Sequence, residues 1–226
     1  LHDALPISHD VTTLLAPGAN AVGVWLGNGR FYAPRSNAPA GVLGYGYPKL
    51  LLQIRVEHPD GTTTIIASDE SWKVTADGPI TENNEYDGEV YDARKEPDGW
   101  ASAGFNDAAW QAAQCVSTPG GALASQMIEP IRVVETLEPR SLTEIKPGVW
   151  ICDLGQNLVG WCRLKVSGPR GAAVTMRHAE TLEPDGSLDM ENLRGARVTD
   201  TYVLKGGGVE VYEPRFTYHG FRYVEL

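Results

Sequence analysis

The fold class follows from residues 50–67, LLLQIRVEHPDGTTTIIA. Between residues 52 and 57, apolar side chains alternate with polar or charged ones, which is the period of a strand with one buried face. The next four residues, His-Pro-Asp-Gly, are typical of a tight turn. The β-branched run at residues 62–67 then returns as a second strand. This stretch therefore predicts an antiparallel β-hairpin.

Strand patterns separated by turns also dominate the rest of the chain. Helical propensity is confined to residues 105–113, and the composition includes 25 glycines and 15 prolines, which favour turns. Strands separated by turns, without helices between them, predict antiparallel sandwiches. We therefore expect an all-β protein with two antiparallel β-sandwich, jelly-roll-like domains. The further predicted strands lie at residues 20–26, 71–75, 161–166, 172–178, 197–205, 209–213 and 216–226.

The best candidate for a linker is residues 117–124, STPGGALA, because they are small or turn-forming and lack a strand period. This predicts a first domain at residues 9–124 and a second at residues 125–226. Residues 1–8 fit neither a strand nor a signal peptide, and we expect them to be an unmatched leader, an artefact of cloning or assembly. Because the chain does not begin with Met, its compartment, cytoplasmic or secreted, stays open.

The bulk composition argues against several classes of protein. A net charge of −10 disfavours a nucleic-acid partner, and the absence of an apolar run of membrane-spanning length predicts no membrane span. Cys115, Cys152 and Cys162 are odd in number and lack C-x-x-C spacing, so we expect buried thiols rather than disulfides or a zinc ribbon. The histidines lack the spacing of a zinc protease, and no serine stands in G-x-S-x-G.

Carboxylates are densest in residues 81–100, TENNEYDGEVYDARKEPDGW. The pattern N-x-E-x-D-G at residues 83–88 resembles the start of an EF-hand loop, but Arg94 stands at the twelfth position, where that loop requires a glutamate. An EF-hand is therefore excluded. Three interpretations stay open: a looser calcium site, a pair of glycosidase carboxylates at a separation that sequence does not give, and a solvated acidic turn.

Two loops are the remaining candidates. Residues 27–32, GNGRFY, combine a glycine turn, a polar tip and aromatic side chains, the mixture that sugar sites use; the alternative is a plain turn at the end of a strand. Residues 153–160, DLGQNLVG, predict a tight structural loop between two strands, because Asp and Asn side chains bind their own backbone in turns.

Four segments together resemble bacterial α-L-rhamnosidases of glycoside hydrolase family 78, and they cover almost the whole chain. The resemblance implies two non-catalytic β-sandwich domains: an N-terminal module that in some members binds L-rhamnose with calcium, and a concanavalin-like domain. In that family a catalytic (α/α) helical barrel follows, and strands precede the segment that begins at residue 10. We therefore expect an N-terminally truncated first sandwich and an inactive fragment. The segments are residues 10–32 (DVTTLLAPGANAVGVWLGNGRFY), 86–100 (YDGEVYDARKEPDGW), 153–161 (DLGQNLVGW) and 212–226 (YEPRFTYHGFRYVEL).

The resemblance also suggests a function and site residues. The parent enzyme is expected to hydrolyse terminal α-L-rhamnosyl residues of plant glycosides or polysaccharides. Its partners would be the catalytic barrel of the same chain and rhamnosylated glycans. No catalytic residue and no required cofactor are expected, with calcium as the candidate ion. Alternatives are a stand-alone calcium-dependent carbohydrate-binding module and a small sandwich glycosidase using Glu89 and Asp92. Arg30 stands where the family often has Trp. The expected ligands are Asn28, Arg30 and Glu89 for the sugar, and Asn83, Asn84 and Asp87 for calcium.

Overall fold

The computed structural model describes residues 8–29, 31–32, 46–118 and 120–226, and the regular structure in this part of the chain is mainly β-strand. The predicted all-β class is confirmed, and helical structure in this part of the chain is limited to three-residue 3-10 turns at Thr12–Leu14, Ala93–Lys95 and Glu191–Leu193. Among the described residues, none forms a helix long and apolar enough to cross a membrane. The strands are β1 (Gln53–Glu57), β2 (Thr63–Ala67), β3 (Lys73–Val74), β4 (Ile80–Asn84), β5 (Gly88–Asp92), β6 (Gln111–Ala112), β7 (Ser141–Lys146), β8 (Val149–Gly160), β9 (Leu164–Ser167), β10 (Ala173–Ala179), β11 (Thr181–Leu182), β12 (Leu188–Asp189), β13 (Thr199–Val203), β14 (Val209–Tyr212) and β15 (His219–Glu225).

The described chain divides into two compact units whose segments alternate along the sequence. The acidic stretch up to residue 96 belongs to the same unit as the C-terminal half. The domain boundary after residue 124 stays a prediction. Unit 1 contains residues 8–25, 49–76, 97–118 and 120–133, and unit 2 contains residues 26–29, 31–32, 46–48, 77–96 and 134–226.

Unit 1 contains the hairpin that the sequence predicts, and this prediction is confirmed. Strand β1 pairs antiparallel with β2 along its whole length, and the His58 N–H donates to the Thr62 carbonyl oxygen at 2.9 Å across the turn. Ile65 and Ile66 are 50% and 46% exposed. Because consecutive strand residues point to opposite faces, apolar surface is open on both sides of the hairpin. No described residue of this unit is buried.

Three local expectations in unit 1 are wrong, and the first is the strand predicted from residue 20, because residues 20–25 form no strand. Residues 105–113 form turns and β6 instead of a helix. The Asn106 Oδ1 atom accepts a hydrogen bond from the Ala108 N–H at 3.1 Å, which is an alternative to the helical bond that the sequence suggests. Cys115 is exposed rather than buried, whereas Cys152 in unit 2 is buried and Cys162 is half-buried.

A seven-stranded sheet forms the frame of unit 2, in the order β4-β5-β13-β10-β15-β8-β7. Its pairs are antiparallel except β5 and β13, which run parallel with Tyr91 opposite Tyr202. The β4–β5 hairpin comes from the acidic stretch. That stretch is therefore the edge of a sheet whose other strands come from the C-terminal half of the chain.

A second layer of unit 2 is the antiparallel pair β9–β14. It packs on the sheet through Tyr212, whose ring centroid lies 4.8 Å from that of Tyr202 and 5.5 Å from that of Tyr91. The turns at residues 168–171 and 206–208 therefore carry the chain between the layers. Strand β9 pairs with β14 rather than with its sequence neighbour β10, as in a sandwich.

The loop predicted at residues 153–160 is wrong, because strand β8 runs without interruption from Val149 to Gly160. The irregularity lies in its pairing: the register with β15 jumps from Phe221 opposite Leu158 to Tyr223 opposite Asp153. Extra residues on one strand of an antiparallel pair make a bulge. The glycines and asparagine of this segment accompany that bulge.

The sheet face that contacts Tyr212 is called the inner face. Four neighbouring strands place residues on it that are at most 6% exposed. Four of these nine residues are acids or histidines, which is unusual for a core. The residues are Glu89 and Tyr91 (β5), Asp200 and Tyr202 (β13), Met176 and His178 (β10), and His219, Phe221 and Val224 (β15).

Candidate functional site

Four ionisable side chains lie together on the inner face, and we call them the buried polar cluster: Glu89, His178, Asp200 and His219. Three of them are 0% exposed and His219 is 3% exposed. Each comes from a different strand, and those strands, β5, β13, β10 and β15, are consecutive in the sheet. Charged side chains are rarely buried to this degree without partners, so their contacts decide what the cluster can do.

Glu89 is held by three donors. Its Oε1 atom accepts from the Tyr212 hydroxyl at 3.1 Å, and its Oε2 atom accepts from the backbone N–H groups of Arg215 at 3.1 Å and Phe216 at 3.2 Å. Burial raises the pKa of the Glu89 carboxyl, while these hydrogen bonds act in the opposite direction. The Glu89 N–H in turn donates to Asp200 Oδ1 at 2.9 Å.

The other members of the cluster form a chain of contacts. Asp200 Oδ2 lies 3.1 Å from His219 Nε2, and the His219 ring stacks on the His178 ring with centroids 4.4 Å apart. His178 Nδ1 lies 3.1 Å from the Val198 carbonyl oxygen, while its Nε2 atom is buried without a hydrogen-bond partner among the described residues. Burial, and next the neighbouring His219, lower the pKa of His178 to about 4.

Phenol groups engage further carboxylates beside the cluster. The Tyr91 hydroxyl donates to Glu96 Oε2 at 2.6 Å, and the Tyr202 hydroxyl donates to Glu210 Oε2 at 2.8 Å. Burial, then the hydrogen bond to its carboxylate, raises the pKa of Tyr91 above the ordinary range, and Tyr202 is affected in the same way. These acids hold the stacked tyrosines in place.

The structure brings two of the predicted ligand residues together. The Asn28 N–H donates to Asn83 Oδ1 at 2.8 Å, and Asn28 Nδ2 donates to the Asn83 carbonyl oxygen at 2.9 Å. The predicted sugar ligand Arg30 lies outside the described residues. Glu89 faces the interior and is 0% exposed, so it is not part of an open surface with Asn28. The sugar assignment of Asn28, Arg30 and Glu89 stays a prediction.

The predicted calcium ligands already accept hydrogen bonds. Asn84 Oδ1 accepts from the Tyr86 N–H at 2.8 Å, Asp87 Oδ1 accepts from the Arg197 N–H at 3.2 Å, and Asn83 Oδ1 is bound to Asn28. Calcium takes about six to eight oxygen ligands. The buried atom without a partner in this part of the described chain is Asn84 Nδ2.

An amide nitrogen is a donor, so a cation would not satisfy that atom. The three residues as placed therefore fit a hydrogen-bonded turn and do not form a ready calcium cage. Calcium binding by Asn83, Asn84 and Asp87 stays a prediction.

A glycosidase pair at Glu89 and Asp92 requires both groups to face one cavity. Side chains alternate along a strand, so these two, three positions apart in β5, point to opposite faces. Asp92 forms a two-point ion pair with Arg94, at 2.8 Å and 2.7 Å, and the Arg94 hydrogen bond lowers the pKa of that carboxyl. The described geometry gives the pair no shared cavity.

The outer face of the sheet has an open cavity of about 340 Å³ beside β5 and β13. Arg177 and Arg197 lie in its wall, and each is paired with an acid: Arg177 with Glu225 at 2.9 Å and Arg197 with Glu82 at 3.0 Å. Sequence reasoning missed this cavity. Arg177 lies in β10 and Arg197 lies just before β13, and these strands become neighbours only in the sheet.

Sequence reasoning also missed the buried polar cluster. Glu180, two residues after His178 in the sequence, accepts from Asn157 and Asn192 at 2.8 Å and 2.9 Å. The partner of His178 is His219, which belongs to a different strand. One signal in the sequence could have found the cluster. His178, Asp200 and His219 stand at positions of the predicted strands that alternate in step with apolar residues.

Comparison with known families matches both halves of the chain. A sequence model of the α-L-rhamnosidase N-terminal domain matches residues 4–135. The chain belongs to the α-L-rhamnosidase family. The model of the bacterial α-L-rhamnosidase concanavalin-like domain matches residues 143–226, so the resemblance inferred from the four segments is confirmed for both regions of this rhamnosidase chain.

Known rhamnosidases are similar over nearly the whole chain. The α-L-rhamnosidase of Streptomyces avermitilis is 48% identical over 224 residues, and one of Formosa agariphila is 35% identical over 230 residues. These matches cover 97% of this chain but 21% and 24% of the two relatives. The chain thus spans about a fifth to a quarter of their length.

Solved rhamnosidase structures share the fold. The α-L-rhamnosidase from Dictyoglumus thermophilum has a TM-score of 0.80 and 46% identity, with 88% of this chain and 22% of that chain covered. The Streptomyces avermitilis α-L-rhamnosidase complexed with L-rhamnose has a TM-score of 0.78 and 51% identity, with 80% and 18% covered. The fold of the described residues is therefore that of a region of larger rhamnosidases.

Proposed function

We propose that the chain is the non-catalytic β-sandwich region of an α-L-rhamnosidase and that it supports a catalytic (α/α) helical barrel of the same parent chain. The observation that carries the proposal is the family match: its two parts correspond to the N-terminal and concanavalin-like domains, and together they span 21% of the Streptomyces avermitilis relative. The parent enzyme would hydrolyse terminal α-L-rhamnosyl residues of plant glycosides or polysaccharides.

The bonding of Glu89 and Asp153 supports a non-catalytic role. A glycosidase places an acid and a base, or a nucleophile, on either side of the scissile bond. Glu89 accepts three hydrogen bonds inside the fold, and Asp153 binds Arg222 at two points, 2.8 Å and 2.9 Å. Both groups stabilise strand pairing and face no shared cleft.

Exposed apolar side chains of unit 1 support a role in packing. Leu51, Met127 and Ile128 are 76%, 94% and 78% exposed. Several large exposed apolar side chains on one unit favour a surface that another domain covers. We propose that the catalytic barrel is the covering domain.

Two measurements test this proposal. The purified 226-residue chain should release no chromophore from an aryl α-L-rhamnoside above the buffer rate. A chimera of the Streptomyces avermitilis rhamnosidase, with its matching region replaced by this chain, should retain hydrolysis, whereas deletion of that region should abolish soluble, active enzyme. The control chimera has an unrelated β-sandwich of similar length and should be inactive.

Either of two results would reject the supporting role. Turnover by the isolated chain that is lost in Glu89→Gln would make the chain itself the enzyme. Full activity of the deletion variant would show that the barrel needs no support from this region.

A second candidate function is binding of L-rhamnose, with or without calcium, as a carbohydrate-binding module. It is favoured by the Streptomyces avermitilis relative, 51% identical in the compared region, whose structure is a complex with L-rhamnose. Calorimetric titration of the chain with L-rhamnose, in calcium and in chelator, tests it. Binding that Asn83→Ala weakens, with Asn20→Ala as an exposed control, supports this function; no heat in either condition excludes it.

A further inference from the structure

We propose that His178, Asp200 and His219 bind one divalent transition-metal ion, with Zn²⁺ as the best fit, and that this ion links β10, β13 and β15. One ligand atom from each of these side chains lies within 4.8 Å of one from each of the others. All three side chains are buried, at 0%, 0% and 3% exposure. With three protein ligands, a water molecule would take the fourth position of a tetrahedral zinc ion.

The unpaired nitrogen of His178 is the observation that points to a ligand. The Val198 carbonyl oxygen can only accept, so His178 Nδ1 carries the ring proton and Nε2 carries a lone pair. That Nε2 atom is buried without a partner among the residues that the structure describes. Buried polar atoms without partners are rare in native proteins. Metal-bound histidines commonly donate their other ring N–H to a carbonyl oxygen, as His178 does.

Asp200 is arranged to offer one oxygen. Its Oδ1 atom accepts the Glu89 N–H at 2.9 Å, and its Oδ2 atom lies 3.1 Å from His219 Nε2. In a tetrahedral zinc site with bonds of about 2.0–2.1 Å, ligand atoms are about 3.3 Å apart. The Asp200–His219 distance is therefore already close to ligand spacing. The longest separation, at most 4.8 Å, must shorten by about 1.5 Å or less on binding.

Charge favours a cation at this position. Within the described part of the chain, the ion pair recorded for Asp200 is with His219, which is charged only when protonated. A buried carboxylate is costly unless a positive charge accompanies it, and a divalent ion would supply that charge. Two imidazole nitrogens and one carboxylate oxygen suit Zn²⁺ and related ions, whereas Ca²⁺ and Mg²⁺ require mostly oxygen ligands.

Metal analysis of the untagged chain tests the proposal. The chain is expressed with zinc in the medium, freed of loosely bound ions by gel filtration, and analysed by inductively coupled plasma mass spectrometry. We expect about one zinc ion per chain and a fall to a small fraction in His178→Gln and in Asp200→Asn. His58→Gln is the matched control, because His58 is exposed and bound to Thr64 at 2.8 Å.

A second readout does not depend on the variants folding. Chelator treatment of the unsubstituted chain should lower its melting temperature, and added Zn²⁺ should restore it. Co²⁺ in place of Zn²⁺ should give the visible absorption of a four-coordinate site. Two results overturn the proposal. The first is a chain that retains no zinc and whose melting temperature changes with neither zinc nor chelator. The second is a folded His178→Gln variant that retains one zinc ion per chain.

Discussion

Replacing Glu89 by alanine should remove several kcal/mol of stability from unit 2. The substitution leaves three donors without their acceptor: the buried Tyr212 hydroxyl and the partly buried N–H groups of Arg215 and Phe216. Each unsatisfied buried donor costs about 1–3 kcal/mol, so the ceiling is roughly 9 kcal/mol. The Tyr212 hydroxyl can rotate and water can enter the space, so we expect a loss of about 3–5 kcal/mol.

Glu89→Gln should cost less, because it keeps the volume and one oxygen for the two backbone N–H groups; we expect about 1–2 kcal/mol. Burial raises the folded-state pKa of Glu89 above the ordinary 4.5. For such a carboxyl, the stability contribution is fully present below the unfolded-state pKa and is lost as pH rises through the folded-state pKa. Glutamine does not titrate, so the cost of Glu89→Gln should be larger at pH 4 than at pH 8.

Urea unfolding followed by circular dichroism and by intrinsic fluorescence measures both effects. Glu82→Ala is the control on the neighbouring strand, since Glu82 is 60% exposed and its surface ion pair is expected to contribute under about 1 kcal/mol. A Glu89→Ala variant within about 1 kcal/mol of the unsubstituted chain would refute the account of Glu89 as an obligatory acceptor. A cost of Glu89→Gln that grows with pH would refute the direction of the pKa shift.

Three further predictions concern the same unit. The Arg222 hydrogen bond lowers the pKa of Asp153 to about 2. The stability that the Asp153 carboxylate contributes is therefore present above the ordinary pKa of 3.8 and is lost as the pH falls through 2. In acid, the Asp153→Asn variant should lack this pH-dependent loss of stability, which is about 1 kcal/mol after allowing for exposure. Gly88→Ala should lower the melting temperature by several degrees or prevent folding, because φ is 105° and the new Cβ would meet the Thr199 carbonyl oxygen. Residues 125–226 expressed alone should bind a hydrophobic dye and give poorly dispersed NMR spectra, because β13 loses its neighbour β5; a well-dispersed spectrum would contradict this.

Local patterns predicted local structure well. The hairpin at residues 50–67 needs only alternation and a turn, both of which are encoded within a few residues, and it is confirmed. The pairing of strands was harder to predict from the sequence, because a turn between two strands does not show whether the second strand joins the same sheet. The turn at residues 168–171 leads to the other layer, so the partner of β9 is β14, some forty residues along the chain.

The candidate site depended on pairings that no local pattern encodes. Glu89 receives its donors from residues 123 to 127 positions later in the sequence. His178, Asp200 and His219 come from three strands, one residue each, so no motif spacing exists to be recognised. The pairing of Asn28 with Asn83 likewise joins residues 55 positions apart. Carboxylate content therefore identified an important stretch, but not which of its acids would be buried.

The acidic stretch is better explained by sheet assembly than by a reaction. Its acids point in different directions and bind different donors: Glu89 accepts from the loop after β14, Asp92 binds Arg94, and Glu96 accepts from Tyr91. Catalytic carboxylates of a glycosidase must instead face one substrate from two sides. Because β5 pairs in parallel with β13, these bonds join the N-terminal part of the sequence to the C-terminal sheet. The described bonds of these acids therefore support a structural role for the stretch.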